Sequence, residues 1–178
     1  SITEPVNAMG LLTGTASLRL QKGLSGIYDY SVVRYDERNR VIHTESTNLL
    51  DGYDVEDTEL DFLGQPTKRF LRHHVSGQND ITQFYTYDYD HANRLTQVTH
   101  SLNGGDEVVL ACNTYDELGR LASTTRNGMS QLTTEYEYNI RGWTTKIDGP
   151  LFSEDLYYNT SHNSSTPQWG GNVSAMES

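Results

Sequence analysis

The sequence predicts an all-β protein built from tandem antiparallel β-hairpins, and three observations lead to this prediction. A short signature headed by Tyr-Asp recurs along the chain. The residues before each copy alternate between aromatic and polar with period two, as in a half-buried strand. Helical periodicity is nearly absent, because the best apolar cluster outside the signature, residues 8–20, is interrupted by Gly10 and Gly14.

Composition favours a thin sheet with half-exposed faces over a compact globule. Only 35% of the 178 residues are hydrophobic and the mean hydropathy is −0.64, so a thick aliphatic core is poorly supplied. Twelve tyrosines offset the shortfall, because a phenol ring buries an apolar face while its hydroxyl stays in water. The single cysteine, Cys112, cannot form an internal disulfide, and we expect a small buried hydrophobe there rather than a nucleophile.

Charge and motif content argue against several classes of function. A net charge of −11 would repel nucleic acid and anionic membranes. The sequence contains no run of eighteen apolar residues, so we do not expect membrane insertion. The N-terminus, Ser1 to Pro5, lacks the layout of a signal peptide, which indicates a removed signal or an excised fragment. No phosphate loop, dinucleotide fingerprint or Gly-x-Ser-x-Gly occurs, so we expect neither a cofactor nor an enzyme.

Three segments follow one another along the chain. Residues 1–27 are predicted to form a strand and turn segment, and residues 28–150 form the hairpin array, with return turns at 103–106 and 126–128. Residues 151–178 are rich in Asn, Ser and Thr, which predicts a loop-rich and partly disordered segment. Because Ser178 comes directly after a motif, we expect more chain beyond it.

The signature defines the array. Three copies have the form Tyr-Asp-x-x-(Asn or Gly)-Arg-aliphatic, and two looser copies begin Leu-Asp and Tyr-Asn. Successive copies lie 23 to 29 residues apart, which is the length of one hairpin and its return connection. The signature residues are Tyr35, Asp36, Asn39 and Arg40; Asp61 and Gly64; Tyr89, Asp90, Asn93 and Arg94; Tyr115, Asp116, Gly119 and Arg120; and Tyr138, Asn139 and Gly142.

Each signature position has a physical reason. An Asp or Asn at the end of a strand can accept backbone N–H bonds from the residues that follow it, as an Asx turn. An Asn or Gly three residues later tolerates a positive φ, so the two together close a tight hairpin. Before the third turn, Tyr85, Tyr87 and Tyr89 share one face of a strand. After the turns come β-favouring runs such as 94–99 and 121–125.

The tandem signature over residues 28–150 resembles the Rhs/YD-repeat family, which includes bacterial wall-associated and polymorphic-toxin proteins, toxin-complex components and the teneurins. The tail motifs at 139–143, 156–159 and 167–172 are similar to those of bacterial Rhs-type surface proteins. The resemblance implies a β-ribbon wound into a curved or spiral sheet, which forms a hollow shell in that family. The five repeats of this chain would be a fragment of such a shell. It also implies a bacterial extracellular or cell-surface location.

The resemblance further implies a non-catalytic scaffold that encloses or displays another domain. Its partners would be the rest of a longer Rhs-type chain or an encapsulated or C-terminal effector domain, and open sheet edges predict self-association. A carbohydrate-binding surface module is the alternative, with stacking on Tyr87, Tyr136, Trp143 or Trp169. We favour turn caps and packing for the repeated residues, because the turn chemistry needs them anyway. A glycosidase-like enzyme with paired carboxylates is the third hypothesis.

Two further groups of residues are candidate metal ligands. The segment 51–61 places six carboxylates in eleven residues but has no EF-hand spacing, so a solvated loop is favoured over a Ca²⁺ site. The histidines lack the spacing of a zinc site, and we expect them at the surface. They are His43, His73, His74, His91, His100 and His162. The sequence therefore predicts no metal.

Overall fold

A computed structural model describes residues 10–18 and 28–178, and these residues form the all-β fold that the sequence predicts. Their regular structure consists of thirteen strands and one short 3-10 turn, Ser130–Leu132. No helix among them has the length and hydrophobicity to cross a membrane. The strands are β1 (Gly14–Leu18), β2 (Tyr28–Tyr35), β3 (Val41–Thr47), β4 (Tyr53–Leu60), β5 (Pro66–His74), β6 (Ile81–Tyr89), β7 (Leu95–Leu102), β8 (Val108–Tyr115), β9 (Leu121–Arg126), β10 (Thr133–Tyr138), β11 (Thr144–Asp148), β12 (Ser153–Tyr157) and β13 (Ala175–Glu177).

The described residues divide into two compact units, and the first comprises residues 10–18, 28–88 and 99–107. Strands β1 to β6 of this unit are antiparallel, and each pairs with the next in the sequence. The ladder between β4 and β5 runs from Tyr53↔His74 to Leu60↔Pro66. Consecutive antiparallel strands joined by short turns are tandem hairpins, which confirms the predicted architecture of this part.

The second unit comprises residues 89–98 and 108–178. Strands β8 to β13 are again antiparallel and pair in sequence order. These ladders are shorter, with three residue pairs between β9 and β10 and three between β12 and β13. The hairpin architecture therefore continues into the segment beyond residue 150.

A register shift precedes four of the repeat turns. It falls at Arg34/Tyr35, Glu59/Leu60, Thr114/Tyr115 and Glu137/Tyr138, immediately before the Asp or Asn of the signature. A bulge at this point inserts an extra residue into one strand and increases its local twist. The signature Tyr or Leu is therefore the residue at which each of these strands leaves the regular ladder.

Burial is shallow throughout the described residues. Among residues 10–18 and 28–178, only Tyr158, His43 and Thr99 have relative exposures of 8% or less. Most strand side chains are half-buried, and several apolar residues at turn tips, such as Phe62 and Ile140, are exposed. Backbone ladders and polar contacts at the turns must therefore supply much of the order that a thick core gives other proteins.

The structure corrects one expectation from the sequence, that of a solvated loop at 51–61, and adds detail to the two terminal segments. Residues 53–60, expected within a solvated acidic loop, form β4 because strands on both sides provide partners for its side chains. Residues 151–178 carry two short strands, β12 and β13, separated by a long loop. In the segment 1–27, β1 occupies Gly14–Leu18, and residues 1–9 and 19–27 lie outside the described part.

Candidate functional site at the repeat turns

The five signature turns share one backbone geometry. The N–H of the Asp or Asn donates to the carbonyl four residues later at 2.9–3.0 Å, and the N–H three residues later donates back at 2.9–3.2 Å. The residue three positions after the Asp or Asn has a positive φ in every turn, between 60° and 93°. These residues are Asn39, Gly64, Asn93, Gly119 and Gly142. Only Asn and Gly occupy the position, because other side chains are strained there.

The acidic side chain of the signature caps its own turn. In the third turn Oδ1 of Asp90 accepts the backbone N–H groups of Ala92 at 2.8 Å and Arg94 at 3.0 Å. The other carboxylate oxygen accepts Nε of Arg94 at 2.7 Å. Asn139 makes the same two backbone contacts through its amide oxygen, at 2.9 and 3.1 Å. The turn therefore needs only a hydrogen-bond acceptor at this position. The negative charge of an aspartate adds an ion pair with the arginine of the same turn.

These contacts hold the aspartates in their charged form. The backbone and side-chain hydrogen bonds from Arg94 lower the pKa of Asp90 from 3.8 to about 2. For Asp36 and Asp116, burial raises the pKa, but hydrogen bonds from Arg40 and Arg120 outweigh it and lower the pKa overall. Hydrogen bonding to the charged form is the common cause.

The arginine of each strict copy also reaches the next turn. Nη1 of Arg40 donates to the carbonyl of Asp61 at 2.8 Å, and Nη1 of Arg120 donates to the carbonyl of Asn139 at 3.1 Å. The guanidinium of Arg120 lies 4.7 Å from the ring centroid of Tyr138. Arg94 covers the ring of Tyr115 in the same way at 4.5 Å. A planar guanidinium suits both contacts at once.

The tyrosine of the signature completes the link in the opposite direction. The Tyr138 hydroxyl donates to the carbonyl of Leu121 at 2.9 Å, and Leu121 directly follows Arg120. The hydroxyls of Tyr35, Tyr115 and Tyr158 donate in the same way to the carbonyls of Leu12, Leu95 and Thr144 at 2.7–2.8 Å. We call the arginine and tyrosine contacts between consecutive turns the inter-turn link.

Sequence reasoning missed two parts of this arrangement. Tyr158 takes the tyrosine position of a further repeat, and the signal was the Tyr-Asn pair at 158–159, a spacing of twenty residues after Tyr138-Asn139. Asn48 caps the return turn between β3 and β4, since its Oδ1 accepts the N–H groups of Leu50 and Gly52 at 3.0 Å. Asp51 has a φ of 53° in that turn.

The fifth turn replaces the arginine with Trp143. Its ring packs against Tyr158 at 5.1 Å, and the Arg141 guanidinium lies 5.1 Å from the same ring. Arg141 also donates to the carbonyl of Trp169 at 3.1 Å. Trp143 is therefore covered by neighbours, whereas Trp169 is 64% exposed.

The two remaining residues proposed for ligand stacking are both half-buried. Tyr87 is half-buried and stacks on Tyr85, with ring centroids 6.5 Å apart, in the first unit. Tyr136 is half-buried in β10 of the second unit. Of the four candidates, Trp169 alone has an exposed ring.

Histidines and carboxylates pair across β3, β4 and β5 of the first unit. Nδ1 of His43 lies 2.6 Å from Asp57, and His73 contacts Asp54. Arg69 forms two hydrogen bonds with Glu56 at 2.7 and 2.8 Å. The expectation of a surface position is wrong for His43, which is 7% exposed because the sheet places it beside Asp57.

A shallow depression of about 530 Å³ lies in the same region. Its walls include three carboxylates, and each has a basic neighbour. Asp36 contacts Arg40, Asp57 contacts His43, and Glu59 lies 3.1 Å from Lys68. Within the described residues no group of three or more His, Cys, Asp or Glu is arranged to hold a metal ion. Cys112 is half-buried in β8.

Comparisons with known proteins give one kind of match. No known family's sequence profile matches the chain, and neither does any curated protein. A search of solved structures matches a chain of the crystal structure of TcdB2-TccC3-Cdc42. The match has 14% sequence identity and a TM-score of 0.30. It covers 89% of this chain and 12% of that chain.

Proposed function

We propose that this chain is a non-catalytic structural segment of a secreted or cell-surface Rhs/YD-repeat protein, a scaffold that encloses or displays another domain. One observation carries the proposal. The polar groups of the signature bond within their own turn and to the backbone of the next, as Arg120 does with the Asp116 carboxylate and with the carbonyl of Asn139. Side chains engaged in this way hold a repeat together rather than face a substrate.

The depression in the first unit supports the same interpretation. A glycosidase needs one carboxylate that can donate a proton and another that can act as base or nucleophile. Here Asp57 is bound to His43 and Glu59 is paired with Lys68. Both are held by basic neighbours, which favours structure over catalysis.

The partners follow from the hairpin arrangement. Each hairpin presents its last strand to the next one, and every strand edge carries free backbone donors and acceptors until it is paired. We propose that the rest of a longer Rhs-type chain, or a further copy of this one, continues the pairing beyond the described strands. An enclosed or displayed effector domain is the second partner in this proposal.

Labelling of bacterial cells tests the location. Antibodies raised against the 178-residue chain should label intact cells of the source organism as strongly as permeabilised cells, with a cytosolic enzyme as the control for leakage. Labelling that requires permeabilisation would contradict a surface role.

Deletion in the parent protein tests the scaffold role. Removal of residues 28–150 should expose the carried domain to protease or cause its loss from the surface. The matched control is the Ile140→Ser variant, which changes an exposed turn tip and should leave the array intact. A carried domain with unchanged abundance, location and protease resistance after the deletion would reject the proposal.

Carbohydrate binding is the second candidate, and the exposed ring of Trp169 favours it. Arg141 donates a hydrogen bond to the backbone carbonyl of Trp169, and this contact holds the loop that carries the exposed indole. On a glycan array, binding that disappears in Trp169→Ala but persists in Met176→Ala would support this function. A blank array at saturating protein would reject it.

A further inference from the structure

Two Asn-Gly pairs occupy equivalent return turns, one in each unit. Asn103 and Asn127 both have a φ of 52°, and the glycines that follow have φ values of 69° and 62°. In each turn the N–H two residues after the Asn donates to the carbonyl of the residue before it, at 2.9 and 3.0 Å. All four residues are exposed. Positive φ at both central positions is the geometry of a type I′ turn.

The two asparagine side chains differ in one respect. Oδ1 of Asn103 accepts the backbone N–H of Thr82 at 2.7 Å, and the Asn103 N–H donates to the Thr82 carbonyl at 2.8 Å. Thr82 therefore fixes both the backbone and the side chain of Asn103. Asn127 has only the backbone contact, from its N–H to the carbonyl of Leu110 at 3.0 Å. Its amide side chain makes no hydrogen bond within the described residues.

This difference bears on a reaction that Asn-Gly pairs undergo in water. The backbone nitrogen of the glycine attacks Cγ of the asparagine, and the bond from Cγ to Nδ2 breaks. The amide nitrogen leaves as ammonia and carries away the glycine N–H proton, which closes a succinimide ring. Water then opens the ring at either carbonyl and yields aspartate or isoaspartate. The reaction needs only water, and glycine permits it because no Cβ blocks the approach.

We propose that Asn127 is a deamidation site of the folded chain and that Asn103 is protected. The Cγ of Asn127 is free to turn toward the nitrogen of Gly128. The Cγ of Asn103 cannot do so until the hydrogen bond from the Thr82 N–H to Oδ1 of Asn103 breaks. The product at Asn127 adds a carboxylate to a chain of net charge −11, and isoaspartate adds a methylene to the backbone of the turn. The β9–β10 ladder has only three pairs to resist that change.

Peptide mapping of the full chain tests the proposal. After incubation at mildly alkaline pH, tryptic peptides beginning at Leu95 and Asn127 are compared by tandem mass spectrometry for the mass increase of deamidation. Folded protein should convert Asn127 roughly three- to tenfold faster than Asn103, the factor that one retained hydrogen bond of ordinary strength gives. Equal rates, or a faster Asn103, would overturn it.

Two controls distinguish the effect of the folded structure on the reaction rate from the effect of the Asn-Gly sequence itself. In urea the two sites should react at rates within about twofold of each other, because both then have the freedom of an unfolded chain. The Asn127→Gln variant should lose the early mass increase in its peptide. A rate difference that persists unchanged in urea would show that local sequence, and not the Thr82 contact, sets the rates, and this result would also overturn the proposal.

Discussion

The aspartate at the start of each repeat turn combines two interactions in one side chain. One oxygen of Asp36 accepts the N–H groups of Arg38 and Arg40 at 2.8 and 2.9 Å, and the other accepts Nε of Arg40 at 2.6 Å. The first interaction needs only an oxygen, and the second needs the charge. An asparagine at this position should therefore retain part of the function, as Asn139 does in the fifth turn.

Substitution of Asp36 tests this division. Asp36→Ala should lower the free energy of unfolding by about 1–2 kcal/mol, because two backbone N–H groups lose their acceptor. Asp36→Asn should cost less, since the two backbone bonds remain. Urea unfolding followed by circular dichroism measures both. Equal losses in the two variants would show that the ion pair alone matters.

Acid should weaken the third turn in a defined pH range. The pKa of Asp90 is lowered from 3.8 in the unfolded chain to about 2 in the folded protein. A lowered folded-state pKa stabilises the protein above the unfolded value, and the stabilisation is lost as the pH falls through the folded value. Wild type should therefore exceed Asp90→Asn in stability at pH 5, and the difference should shrink between about pH 4 and pH 2. A difference that stays constant down to pH 2 would contradict this assignment.

At the scale of the element, the inter-turn link joins consecutive repeat turns in a part of the chain where burial is shallow. The hydroxyl of Tyr138 donates a hydrogen bond to the carbonyl of Leu121, and the guanidinium of Arg120 lies over the Tyr138 ring. Tyr138→Phe removes only the hydroxyl and should destabilise the protein by about 1 kcal/mol. Tyr136→Phe is the control, because that hydroxyl makes no hydrogen bond in the described part of the chain. Thermal unfolding that shows the same loss in both variants would argue against the link.

Glycine in these turns allows a positive φ and also leaves room for the arginine of the preceding turn. Substitutions at Gly142 and Gly119 distinguish these two roles. Gly142 has a φ of 78° with open space around it, whereas Gly119 has a φ of 82° and a Cβ there would lie 3.0 Å from Nη1 of Arg94. Gly142→Ala should cost about 1–2 kcal/mol from backbone strain alone. Gly119→Ala should cost more, because it also displaces the arginine of the preceding turn. Chemical denaturation of the two variants measures the difference, and equal costs would contradict the second role.

At the scale of the whole molecule, the sequence predicts the turn positions well because local chemistry determines them. An Asp and a Gly or Asn three residues apart close a turn whatever lies elsewhere in the chain. The inter-turn link was not predicted, because Arg120 and Tyr138 meet only when the register between strands is known. The same reason explains β4, whose carboxylates suggest a solvated loop until His43 and Arg69 lie beside them.

Hydrogen exchange of the Arg120→Gln variant tests most directly whether the inter-turn link stabilises consecutive turns together. Arg120 belongs to the fourth turn but donates to the carbonyl of Asn139 in the fifth. The amides of residues 139–143 should therefore lose protection together with those of 116–120. Arg126→Gln, which removes an equal charge from a neighbouring exposed position, should leave both turns protected. Faster exchange confined to residues 116–120 would contradict the account.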